Sequence, residues 1–150
     1  MSLNLKSLIS VLNAKCIGAA TDVFIDHISI DSRSLQNGSK TLFIALSGVN
    51  NDAHLYISEL IEKGVQNFVV QHIPEDVKGK ASFLVVKNTL QALQEFAGYY
   101  RDLFHFPIIG LTGSNGKTIV KEWLNFLLSP DYNIIRSPKS YNSQVGVPLS

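Results

Sequence analysis

A chain of 150 residues, 45% of them hydrophobic, suits one domain or one domain with a piece of a second, and it carries enough apolar side chain for a buried core. Thirteen basic against twelve acidic side chains, evenly spread, give no polycationic face for nucleic acid, and the lone Cys16 rules out an internal disulfide framework. No apolar run approaches the ~18 residues that span a bilayer and no basic-then-apolar leader opens the chain, so no membrane insertion is expected and a reducing, cytoplasmic setting is.

Leu5, Leu8, Ile9 and Leu12 recur at helical spacing behind the candidate caps Ser2 and Asn4, which predicts a short first helix packed on the core. Cys16 reads as a small buried hydrophobe. Ile25 to Asp31 reads as a half-buried strand, from the alternation at Ile28 to Asp31, that ends in the polar turn Asp31-Ser32-Arg33-Ser34. Thr41 to Leu46 reads as a second strand, followed by the loop Ser47 to Asn51. Asp52 then caps a helix bearing Tyr56, Leu60 and Ile61, with Lys63 in its last turn and Gly64 just past its end. Strands follow at Asn67 to Gln71 and Phe83 to Lys87, around a loop at Pro74 and Gly79. Asn88 or Thr89 caps a longer helix whose Leu93, Phe96, Ala97, Tyr100 and Phe104 form a core stripe. Such alternation is the pattern of an α/β unit, here assigned to residues 1–105.

Pro107 opens a strand, Phe106 to Ile109, that feeds the segment Gly110-Leu111-Thr112-Gly113-Ser114-Asn115-Gly116-Lys117-Thr118 and then a helical pattern. This is the layout of a phosphate-binding loop. Its glycines let successive N–H groups turn toward an anion, and the helix behind it adds the positive end of its dipole. Lys117 reaches the outer phosphates of a nucleotide, and the Thr118 hydroxyl is placed to ligate Mg2+. The usual pattern has glycine five positions before Gly116, where this chain has Leu111, with Gly110 one place earlier. That marks a subgroup of such loops.

A phosphate loop also needs a carboxylate at the end of another strand to hold the metal. After Thr118 a single strand candidate follows, Tyr132 to Ile135, and it runs into Arg136, Ser137 and Pro138 with no carboxylate. Residues 106–150 therefore read as the opening of an ATP-binding unit, and the chain as the front part of a larger protein that would not complete a reaction alone. The helix after the loop carries Trp123, Leu124, Phe126, Leu127 and Leu128. An uncovered apolar face of that kind predicts self-association through the helix, or its folding back onto the first unit.

Two further polar clusters sit where open α/β sheets place ligands. The turn Asp31-Ser32-Arg33 and the loop Ser47 to His54 both follow predicted strands, and an arginine fork beside hydroxyl and amide groups suits a diphosphate or a nucleobase edge. Read alone, that cluster is better explained as an ordinary polar turn with a surface arginine. Ser140-Tyr141-Asn142-Ser143-Gln144 precedes a Gly146-Val147-Pro148 turn, a composition that loop chemistry by itself explains.

The combination is more specific than its parts. "DSRSLQNGSKTLFIALSG", "NNDAH", "GLTGSNGKTIVKEWL" and "YNSQVGVPLS" come in the order and at about the spacing found in Mur ligases, ATP-dependent amide-forming enzymes of peptidoglycan precursor synthesis, and the chain resembles that family over nearly all its length. Within the family, Lys121-Glu122 and Gly146-Val147-Pro148 favour the branch that adds D-alanyl-D-alanine to UDP-N-acetylmuramoyl-tripeptide. "SPKSYNSQVGVPLS" is similar to a form of it fused to an alanine racemase. A departure is Tyr141-Asn142-Ser143, where many relatives have paired asparagines.

The resemblance implies an α/β protein with an amino-terminal unit for the UDP-N-acetylmuramoyl-peptide, here residues 1–105, and an ATPase unit beginning at 106. It implies ATP and Mg2+ as cofactors and an acyl phosphate attacked by the amine of D-alanyl-D-alanine. Gly113, Ser114, Asn115, Gly116, Lys117 and Thr118 then hold the nucleotide, Lys117 and Thr118 act in phosphoryl transfer, and Thr118 holds the metal. Ser32, Arg33, Asn50, Asn51 and His54 resemble the family's uridine-diphosphate contacts, with Asn142 a further substrate contact. Other Mur-type ligases and the folate-glutamylating ligases share the loop, although the latter would not need the first unit. A nucleotide-binding module of another kind would share it too, but the Asn-Lys-x-Asp element of guanine readers does not occur here.

Overall fold

The computed structural model describes residues 3–18, 22–33, 35, 38–48, 51–138 and 141–150. Ser2, Ser34, Asn50 and Ser140, named above, lie outside the described residues. The chain divides into two units, Met1–Tyr99 and Tyr100–Ser150.

The first unit begins with β1 (Leu3–Asn4) and α1 (Leu5–Val11). Asn4 caps the helix as predicted, its side-chain oxygen accepting from the Lys6 N–H at 2.8 Å, and Leu5 and Leu8 are wholly buried beneath it. β1 pairs antiparallel with β3 (Phe24–Ile25). The predicted strand from Ile25 to Asp31 is thus two strands: Phe24–Ile25 serves this ribbon, and β4 (His27–Ser29) serves the main sheet. Asp26 is the point of exchange, its N–H turned to the carbonyl of Lys40 at 3.0 Å.

β2 (Lys15–Ile17), β5 (Thr41–Ile44), β6 (Asn67–Val70) and β7 (Ser82–Val85) complete a five-stranded sheet in the order β2-β7-β6-β5-β4. β4 through β7 run parallel, and β2 adds to β7 antiparallel. β5 and β6 are buried at every residue, as parallel strands covered on both faces should be. Register places Phe43, Phe68 and Phe83 side by side on three adjacent strands, with ring centroids 6.2 and 5.5 Å apart, and all three are fully buried. Each such ring contributes about 1.5–3 kcal/mol through burial. Cys16 lies on the edge strand β2 and is half-buried rather than buried, since an edge strand has a neighbour on one side alone.

A 3-10 turn at Ala53–Tyr56 leads into α2 (Ile57–Glu62), and α3 (Thr89–Asp102) follows β7. Asn88 caps α3, its oxygen accepting from the Gln91 N–H at 3.0 Å. Ala92, Leu93 and Phe96 are the buried stripe; Phe104 falls past the helix end, where its ring meets those of Tyr100 and Phe106.

The second unit holds α4 (Lys117–Leu128) and a 3-10 turn at Val147–Leu149. Neither predicted strand forms: residues 106–109 and Tyr132 to Ile135 are irregular, and Phe106, Ile108, Ile109 and Ile135 are exposed. A strand exists through its ladder with neighbours, and the described residues of this unit include none to pair with. The 132–137 stretch is instead tied to α4 by Lys121 Nζ on the Ser137 carbonyl at 2.9 Å and by Arg136 on the Glu122 carboxylate. No side chain of α4 is buried, and Trp123, Phe126 and Leu127 stand exposed. Among the described residues no helix is long and apolar enough to cross a membrane.

Candidate functional site

Because β4 to β7 are parallel, their following loops gather at one edge of the sheet, the edge where α/β sheets take ligands. Asp31, Ser32 and Arg33 come from the turn after β4, Asn51 to His54 from the loop after β5, and Gln71 and His72 from the end of β6.

Arg33 is paired within its own turn. Its Nε donates to Asp31 Oδ1 at 2.9 Å, its Nη2 to Oδ2 at 2.7 Å and its backbone N–H to Oδ1 at 3.0 Å. These bonds pull the Asp31 carboxyl down to about 2 and hold the guanidinium above its ordinary value, with a smaller contribution from Tyr56 of the neighbouring loop. The Arg33 side chain is 86% exposed, so its fork faces water and is free to exchange Asp31 for another anion. Ser32 is half-buried beside it.

The loop after β5 is closed on itself. Ser47 bridges Asp52, the Gly48 N–H donates to the Asn51 carbonyl at 2.8 Å, and the Ala53 N–H to the Leu46 carbonyl at 3.0 Å. Tyr56 donates its hydroxyl to Asn51 Oδ1 at 3.5 Å. His54 is 3% exposed and uses both ring nitrogens: Nε2 accepts from the Gln71 N–H at 3.0 Å, and Nδ1 lies 2.6 Å from Asp52 Oδ1. Accepting at Nε2 requires that Nδ1 carry the proton and donate it to Asp52. Burial opposes ionisation of Asp52, but the N–H and ring of His54 outweigh it, with His72 adding, and hold its carboxyl below the usual value.

His72 stacks on His54 with ring centroids 4.3 Å apart. Sequence reading missed His72 and Gln71; the available signal was that both follow a parallel strand on the same side as the loop after β5. Asp52, His54 and His72 bring ligand-type atoms within 4.8 Å of one another. A cation on His54 Nδ1 would drive the ring proton onto Nε2, against the Gln71 N–H. Hydrogen bonding therefore explains this cluster better than a metal does.

In the second unit the phosphate-loop residues are exposed or half-buried and lead into the amino terminus of α4. Gly113 (φ 134°) and Gly116 (φ 78°) take the left-handed conformations that glycine alone adopts cheaply, and Gly116 is the helix cap. Lys117 Nζ turns back onto the Gly113 carbonyl of its own loop. Thr118 is the second residue of α4, exposed at its first turn. Asn142 is exposed on irregular backbone, next to a tight turn in which the Gly146 N–H donates to Ser143 Oγ at 2.9 Å. The loop's glycines, its following helix and its lysine are the parts an anion site needs.

Comparison with known proteins fixes the class. The model of the Mur ligase family, catalytic domain, matches residues 24–101, just over half of the chain. The chain belongs to the Mur ligase family. It is 35% identical to the UDP-N-acetylmuramoyl-tripeptide–D-alanyl-D-alanine ligase of Buchnera aphidicola from Acyrthosiphon pisum and 33% identical to that of Escherichia coli K12, in each case over all of this chain and 31% and 32% of the relative. A crystal structure of MurF from Acinetobacter baumannii superposes with a TM-score of 0.89 at 27% identity, covering 99% of this chain and 32% of the other. MurF from Thermotoga maritima in complex with ADP superposes with a TM-score of 0.71 at 25% identity, over 82% of this chain and 28% of that one. The chain thus spans about a third of the length of the relatives it matches.

Proposed function

We propose that this chain carries the substrate unit and the phosphate loop of an ATP-dependent ligase that adds D-alanyl-D-alanine to UDP-N-acetylmuramoyl-tripeptide. The observation that carries this reading is the glycine-shaped loop at the head of α4, in a chain that aligns along its whole length with ligases of that name. In this reading residues 1–105 hold the UDP moiety and residues 106–150 open the ATP-binding unit.

A carboxylate oxygen of the tripeptide attacks the γ-phosphorus of ATP, and the bond to ADP breaks to leave an acyl phosphate. The amine nitrogen of D-alanyl-D-alanine then attacks the acyl carbon, phosphate departs, and the nitrogen loses its proton as the amide forms. Such a transfer asks the protein for position and positive charge rather than covalent chemistry. The N–H groups of Ser114, Asn115 and Gly116 supply part of it, and Lys117 supplies more by exchanging the Gly113 carbonyl for phosphate oxygens. The Thr118 hydroxyl suits Mg2+, which when bound neutralises phosphate charge. Ser32, Arg33, Asn50, Asn51 and Asn142 are the side chains we assign to the substrate; His54, for which the resemblance implies the same role, has both ring nitrogens taken up by Asp52 and the Gln71 N–H and is assigned a place behind them.

Calorimetric titration of the chain with UDP-N-acetylmuramoyl-tripeptide, ATP, GTP and a folylglutamate tests the reading. Binding of the UDP-peptide and of ATP, each without displacing the other, is the expected result. Folate binding without UDP-peptide binding, or GTP bound in preference to ATP, overturns it.

A further inference from the structure

The loop after β5 carries Asn51 to the ligand edge, and what holds it there is a residue behind it. His54 is buried, and its two ring nitrogens join that loop to a different strand: Nδ1 to Asp52 at the loop's end, Nε2 to the Gln71 N–H at the end of β6. Asp52 in turn caps the 3-10 turn by accepting from the His54 N–H at 3.0 Å, and it bridges Ser47 at the loop's start. One imidazole therefore fastens a loop already closed by its own backbone bonds to the end of β6.

This fastening works in one protonation state. A neutral ring with its proton on Nδ1 offers a donor to Asp52 and an acceptor to Gln71; a charged ring has two donors and no acceptor. On protonation the Gln71 N–H loses its partner and faces an N–H instead, at a part-buried bond where water replaces the lost acceptor only in part. The bond to Asp52 survives, so the charged ring would stay with the loop and part from β6.

We propose that His54 is a positioning residue for the substrate edge, holding the Asn51 loop against the end of β6 while the ring is neutral and releasing it when the ring is protonated. Naming the ligand as the UDP-peptide rests on the function proposed above; the latch itself rests on the bonds to Asp52 and Gln71. The titratable groups that share His54's cavity of about 300 Å3 are Asp52 from its own loop, His72 after β6 and Asp76 from the short 3-10 helix Glu75–Val77; Ser58 of α2 also lines it. His72 stacks on the ring without occupying either nitrogen, so its removal should leave the latch in place.

Two measurements on the intact chain test this. Nitrogen-15 NMR of the imidazoles, followed from alkaline pH down through the protonation of His54, should show the neutral ring with its proton on Nδ1, and the Gln71 and Asn51 amides should shift as the ring takes up its second proton. A proton on Nε2 at high pH, or Gln71 and Asn51 amides that ignore the titration of His54, would overturn the proposal. In parallel, affinity for UDP-N-acetylmuramoyl-tripeptide should fall a few-fold, up to about tenfold, across His54 protonation in the wild type and in His72→Gln, as loss of one part-buried hydrogen bond implies. In His54→Gln, whose amide oxygen can still accept from Gln71 but does not titrate, the affinity should not change with pH over the same range. A pH-independent wild type, or a His54→Gln as pH-sensitive as the wild type, counts against the latch. Amides that follow His54 in a chain that binds no UDP-peptide at any pH would sustain the latch and sink the functional reading.

Discussion

In the first unit Phe43, Phe68 and Phe83 sit wholly buried on adjacent strands, whereas in the second Trp123, Phe126 and Leu127 of α4 stand 66%, 76% and 67% exposed. The two regions are similarly rich in apolar side chains and differ in what surrounds them. Parallel strands with neighbours on both sides and helices across their faces close a core, and the same kind of residues on a helix to which the described residues of its unit offer no sheet do not. Stability should therefore reside in the first unit, while the loop we assign to phosphate leads into a helix that contributes little to it.

The largest expected effect probes that contrast directly. Phe68→Ala should cost about 3–5 kcal/mol in urea unfolding, because it empties a position packed between two other rings, while Phe126→Ala should stay within about 0.5 kcal/mol. Comparable losses for the two variants would end the distinction.

Next comes ligand binding. Lys117→Ala should weaken ATP binding about tenfold to a hundredfold, the loss of a charge-assisted contact, with an unchanged urea midpoint. Arg33→Ala should weaken UDP-peptide binding several-fold, roughly the value of an exposed charged contact, and spare ATP. Equal loss of both ligands in either variant would point to general misfolding and not to two sites.

Self-association is a smaller effect and turns on the bare face of α4. Light scattering should give the wild type a concentration-dependent mass above that of a monomer and Trp123→Glu a monomer's, since an exposed apolar patch is what a second copy would cover. A wild type that stays monomeric with a water-exposed tryptophan emission would dismiss this.

The smallest effect belongs to Asp31. Its folded value is depressed from the ordinary 3.8 to about 2, so the pairing with Arg33 contributes fully above the ordinary value and is lost as pH falls through about 2. Both groups face solvent, so salt should weaken the pairing. A carbon-13 titration of Asp31 should report the low midpoint in the wild type and an ordinary one in Arg33→Ala; a wild-type midpoint near 3.8 would remove the pairing from the account.

Local signals in the sequence were reliable wherever the cause was local. Asn4, Asp52 and Asn88 were legible as helix caps because a side-chain oxygen two or three residues before an N–H satisfies it without help from elsewhere. Gly64 past α2 and the glycines of the phosphate loop were legible for the same reason, their backbone conformations being properties of the residue. The α/β alternation followed from strand and helix periodicity, and with it the edge at which the loops after the parallel strands gather.

Decisions that depend on a partner far along the chain were not legible. Lys15–Ile17 becomes a strand because β7 offers it an edge, Ile25 and Ile28 part company because Asp26 turns to Lys40, and Phe106 to Ile109 stays irregular for want of a neighbour. The role of His54 belongs here too. The sequence named it as a polar residue in a ligand loop, but only the parallel pairing of β5 with β6 brings the Gln71 N–H to its ring. A hydrogen bond across 17 positions is set by tertiary packing, whereas a cap across two is set by the chain itself.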